Sequence, residues 1–84
     1  MERISVDSST IASVGHEGDV LEIEFKGKMR NSVYRYPGVD VDLYEEFMEA
    51  DSMGRFFRDR IKNATDVETG KPLYPHTKVE EEKD

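Results

Sequence analysis

The sequence predicts an α+β fold: a three-stranded antiparallel β-meander covered on one face by two C-terminal helices, followed by a flexible acidic tail. Three observations lead there. Apolar residues alternate in the first half of the chain and then recur at helical spacing. Gly18, Gly27 and the pair Pro37-Gly38 fall between the alternating segments, where turns are needed. Asp42 and Ser52 stand just ahead of the two helical patterns, where cap residues belong.

Each element follows from its residues. Ile11-Ala12-Ser13-Val14-Gly15-His16 reads as the first strand, and Ser8-Ser9 as the turn that leads the chain into it. Leu21, Ile23 and Phe25 alternate with Glu22, Glu24 and Lys26, so the second strand has an apolar face and a charged, solvated one. Glu17-Gly18-Asp19 connects the two as a hairpin, with Gly18 free to take positive φ. Val33-Tyr34-Arg35-Tyr36 is the third strand, and short connections make the three antiparallel neighbours. Asp42 with Glu45 three residues later predicts a capping box. Leu43, Phe47 and Ala50 then share one side of a helix. Ser52 caps a second, carrying Met53, Phe56, Phe57 and Ile61, in which Gly54 implies a kink or close packing.

Composition narrows the function classes. The chain has 84 residues, 37% of them charged, a net charge of −7 and no cysteine. One small domain is expected, with residues 1–64 as the folded unit and 65–84 as a mostly disordered acidic tail; Leu73-Tyr74 is its one part able to dock. The lack of cysteine excludes disulfides, thiolate zinc sites and cysteine nucleophiles, and fits a reducing, cytoplasmic setting. No apolar run reaches membrane-span length. Catalysis is poorly supplied. His16 and His76 are far apart, Glu22 and Glu24 read as a strand's outer face, and His16, Glu17 and Asp19 read as an ordinary turn rather than a metal site. The expectation is a non-enzymatic binding protein without cofactor or metal.

Four short motifs, in order, resemble the KTSC domain. They are Val6-Asp7-Ser8-Ser9-Thr10-Ile11 running into Val14-Gly15, the strand Leu21-Glu22-Ile23-Glu24-Phe25, the Y-x-Y motif Tyr34-Arg35-Tyr36, and Ala50-Asp51-Ser52-Met53-Gly54-Arg55-Phe56-Phe57. That family is a short module named for its place at the C-terminus of some lysyl-tRNA synthetases, and it also occurs as stand-alone small bacterial and phage proteins. His16 stands where the family usually has tyrosine, Pro37-Gly38-Val39 departs from the usual Val-Pro, and residues 26–32 form a longer loop. The resemblance implies a module of uncharacterised role, with RNA binding suggested by the synthetase context.

Charge is unevenly spread. Lys26, Lys28, Arg30 and Arg35 lie in a stretch, residues 26–36, without an acid, and Arg55, Arg58, Arg60 and Lys62 follow with Asp59 as their one counter-charge. Residues 40–51 hold the acids Asp40, Asp42, Glu45, Glu46, Glu49 and Asp51. Aromatic rings on a sheet beside cations are how several domains hold single-stranded bases. The candidate nucleic-acid residues are therefore Lys28, Arg30, Tyr34, Arg35, Tyr36, Arg55, Arg58 and Lys62, and Arg58, Lys62 and Arg30 are expected to share a phosphate-contacting patch. The bland readings are that Tyr34 and Tyr36 belong to the core or its rim and that the arginines form a solvated helix face. Under the alternative function, Asp42, Glu45, Glu46 and Glu49 are an acidic face that binds or inhibits a host protein. The expected assembly is a monomer or a weak homodimer through a sheet edge.

Overall fold

The computed structural model describes residues 2–79. A five-stranded antiparallel sheet runs in sequence order, β1 (Ile4–Ser5), β2 (Ile11–Glu17), β3 (Val20–Phe25), β4 (Ser32–Pro37) and β5 (Thr77–Val79). The helical segment comprises α1 (Val41–Met48), a short α2 (Met53–Phe56) and a π-helix over Phe57–Lys62 that continues it. The expected meander is thus the centre of a wider sheet. Both added strands are short edge strands with little apolar alternation of their own, so nothing in their composition marks them.

The β2–β3 hairpin turns at Gly18, whose φ of 62° lies in the left-handed region that glycine adopts without strain. Leu21, Ile23 and Phe25 face the helices together with Tyr34 and Tyr36, their cross-strand partners being Leu21↔Tyr36 and Ile23↔Tyr34. In β2 the pairing slips between Ile11 and Ser13, a bulge that turns both Ile11 and Val14 to the same face. Ile11, Val14, Leu21, Ile23, Val39, Phe47 and Ile61 are fully buried between sheet and helices. At roughly 25 cal/mol per Å² of apolar surface removed from water, this single layer supplies the main favourable term for folding.

Asp40, rather than Asp42, caps α1: its carboxylate accepts from the Leu43 amide at 2.9 Å, and Asp42 lies in the first turn. Ser52 caps α2 as expected, accepting from the Arg55 amide at 3.3 Å. Gly54 packs near Thr10, since a Cβ there would come within 3.4 Å of the Thr10 hydroxyl. His16 is structural. Its Nε2–H donates to the Val39 carbonyl at 2.7 Å, and its ring stacks on Tyr44 at 4.6 Å, fastening β2 to the segment that enters α1.

The expected tail differs most. Residues 66–70 form a turn, Thr65 bridges Pro72, and β5 pairs with β4, so residues 65–79 fold back on the body. Tyr74 packs partly buried against the core, whereas Leu73 is exposed. The acidic end, Glu80 to Asp84, lies outside the described residues.

Candidate functional site

The two sheet faces carry different chemistry. On the face away from the helices, Glu22 is 2% exposed, so the expected solvated position is instead a buried carboxylate. Arg35, its cross-strand partner, donates from Nε at 2.6 Å, and Arg3 donates from Nη1. Arg3 also reaches Ser13, whose hydroxyl donates to Glu24 at 2.7 Å, and Asn31 donates to the other Glu24 oxygen at 3.0 Å. Burial alone would raise the Glu22 pKa. The hydrogen bonds and charges of Arg35 and Arg3 outweigh it and hold the carboxyl below its ordinary value. Glu24 is also lowered, chiefly by the hydrogen bonds from Asn31 and Ser13. The N-terminal segment crosses this face over Gly15, where a Cβ would strike the Glu2 carbonyl. Arg35 therefore points outward, as a member of an ion cluster.

On the helix side an open groove of about 1350 Å³ runs between the turn at residues 7–10, the helical segment and residues 72–76. Phe25, Tyr34, Tyr36 and Phe57 contribute its aromatic lining. Tyr36 is buried edge-on against Phe57 at 5.3 Å, and burial followed by the neighbouring Tyr34 pushes its hydroxyl up to about 12. Tyr34 is half-buried, edge-on to Phe25 at 5.9 Å. Ser8, Ser9, Thr10, Ser52 and Asn63 add hydroxyl and amide groups. Ser8 already accepts from the Thr10 and Ile11 amides, both at 3.2 Å, which sets the shape of that turn.

Arg55, Arg58 and Lys62 line the same groove as the tyrosines. The π-helical turn carries Phe57 and Ile61 into the core, and Arg58 and Lys62 follow each of them by one position. The basic stretches do not converge as a whole. Lys28 and Arg30 stand in the exposed loop of residues 26–31, away from the groove lining, and Arg35 is on the opposite sheet face. The expected Arg58–Lys62–Arg30 patch thus reduces to Arg58 and Lys62, joined by Arg55. Arg58 contacts Asp59 at 3.3 Å, and Arg60 reaches Glu46 at 3.4 Å while lying over Phe56. Asp7 and Asp51 also line the groove, so its charge is mixed. Asp42, Glu45 and Glu46 are exposed on α1, and Glu49 is exposed at its C-terminal cap.

His76 is the residue that sequence reasoning missed. Its ring meets Tyr34 at 5.4 Å and Tyr36 at 6.0 Å and lines the groove. A histidine in a polar stretch well beyond the end of β4 gives no local signal of this; only the pairing of β5 with β4 brings it there. Among the described residues no His, Asp or Glu group is arranged to hold a metal ion, and no helix is long and apolar enough to cross a membrane.

A small antiparallel sheet with helices on one face, and a groove between its YxY strand and a serine-capped helix, defines a compact α+β domain class in which some residues of each of the four motifs line one cleft. The KTSC domain family model matches residues 7–64, and the chain belongs to that family. An uncharacterized protein of Stutzerimonas stutzeri (strain A1501) is 36% identical over 64 residues, covering 74% of this chain and 86% of that one. The crystal structure of a KTSC domain protein from Yersinia pestis superposes with a TM-score of 0.73 at 33% identity, covering 94% of this chain and 97% of that one.

Proposed function

We propose that this KTSC domain is a non-enzymatic binding module that takes a short single-stranded nucleic acid, RNA in the first instance, into the groove. The observation that carries the reading is the meeting of Arg55, Arg58 and Lys62 with the half-buried Tyr34 along one cleft, Tyr36 belonging to the core beneath it. Cations at the rim suit phosphates, and an aromatic lining suits bases, which is the division of labour in single-strand binding. Serine, threonine and asparagine groups can add hydrogen bonds to base edges or to a 2′-hydroxyl. A net charge of −7 opposes attraction at long range, so binding is local, and Asp7 and Asp51 oppose it within the groove.

The test is fluorescence anisotropy with a labelled 12-nucleotide single-stranded RNA and its DNA counterpart. With three cations contacting phosphates, affinity is expected to fall about twentyfold between roughly 50 and 200 mM salt. Replacing Arg55, Arg58 and Lys62 together by glutamine should abolish most of that slope, while Asp7→Asn with Asp51→Asn should tighten binding. No salt-dependent binding above background would sink the reading.

A further inference from the structure

Residues 65–79 lie beyond the span matched by the family model, yet they supply one wall of the groove. The chain reverses through a turn in which Gly70 takes a φ of 73°, bridges Pro72 to Thr65 and runs along β4 as β5. Tyr74 packs near Gly38, within 3.6 Å of where a Cβ would stand. Two residues on, His76 lies against both tyrosines of β4. Tyr34, the ring within reach of a planar ligand, is therefore already in contact with one of the chain's own side chains.

Tyr74 anchors the start of this segment against the core, and the Leu73 amide donates to the Ala64 carbonyl at 2.9 Å, but beyond Tyr74 the hold is a short ladder. β5 pairs with β4 only at Val33↔Val79, Tyr34↔Lys78 and Arg35↔Thr77, while β3 pairs with β4 along the whole of that strand. His76, Thr77 and Lys78 are exposed. Short edge segments with few buried contacts open locally at far lower cost than a whole domain. We infer that residues 75–79 form a displaceable strap that gates the groove, with His76 in edge-type contact with Tyr34 until a base takes its place. The inference rests on the reading of the groove as a single-stranded nucleic-acid site. In such a gate the observed affinity is the intrinsic affinity reduced by the fraction of molecules with the strap open.

The chain lacks cysteine, so a disulfide can be introduced without competing thiols. Val33→Cys with Val79→Cys joins a register pair of β4 and β5 and leaves every groove residue in place. Binding of the labelled 12-nucleotide RNA is then compared between the oxidised, locked protein and its reduced form. Locking is expected to weaken binding about tenfold or more, because the open fraction is removed. Equal affinity of the two forms overturns the gate and leaves the groove reading standing. Absence of binding by wild type and by both forms overturns the two together. Should the cysteine pair fail to fold, His76→Ala in the full chain asks the same question: affinity rising about threefold supports the gate, and unchanged or weaker affinity overturns it.

Discussion

Glu22 is a carboxylate with almost no exposure of its own, held between the guanidinium groups of Arg3 and Arg35. Removing the charge leaves both arginines facing a neutral partner. Glu22→Gln is therefore expected to lower stability by about 1–3 kcal/mol at neutral pH, measured by urea unfolding. The pH sign follows from the lowered pKa values of Glu22 and Glu24. Their stabilisation is complete above the ordinary carboxyl value of 4.5 and is lost as pH falls through the lower folded values. Wild type should lose stability between about pH 5 and pH 3, and Glu22→Gln should lose less. Tyr36 works in the opposite direction. With its hydroxyl pushed up to about 12, its contribution is present at neutral pH and lost as pH rises through that value. In an absorbance titration of the four tyrosines, one should ionise only in that range and together with unfolding. An ionisation of all four near pH 10 would show that Tyr36 is not buried as described.

At the scale of elements, the cap of α1 separates two adjacent acids. Asp40→Ala removes the acceptor for the Leu43 amide and is expected to cost about 0.5–2 kcal/mol, whereas Asp42→Ala removes only a charge near the helix start and should cost less. Thermal melts of the two variants decide which residue is the cap. The π-helix is the other element with a consequence. Asn63 N–H bonds to the Arg58 carbonyl at 3.0 Å, five residues back, which widens the turn. Phe57 and Ile61 are buried by that turn while Arg58 and Lys62 reach the groove, so packing and site share one irregular segment. Ile61→Ala should cost about 2–5 kcal/mol in urea unfolding, since the site is fully buried.

At the scale of the whole molecule, the sheet is most secure at its centre. β2 and β3 are each paired on both sides, while β1 and β5 are two- and three-residue edges. Amide hydrogen exchange should therefore be slowest in residues 13–24 and fastest, among strands, in residues 4–5 and 77–79. Uniform protection across the sheet would contradict both this ordering and a mobile strap. Charge is divided at the same scale. Exposed acids occupy α1, an arginine–glutamate cluster braces the outer sheet face, and Arg55, Arg58 and Lys62 line the groove.

The alternation of Leu21, Ile23 and Phe25 with charged residues, the glycine at the hairpin and the serine before α2 were enough to determine the central meander and the helices on one face, while the order of four short motifs carried the family resemblance. Local rules govern those features, because period, turn conformation and capping depend on residues a few positions apart. Position by position the local rules also stopped short. A strand pattern cannot say that Arg3 will cross over Gly15 and bury Glu22, nor that a bulge will place Ile11 and Val14 on one face. The separation of Lys28, Arg30 and Arg35 from Arg58 and Lys62, and the arrival of His76 beside Tyr34, were decided by tertiary structure alone. Each depends on contacts between residues distant along the chain, and the order and pairing of the strands, which no local pattern encodes, set those contacts.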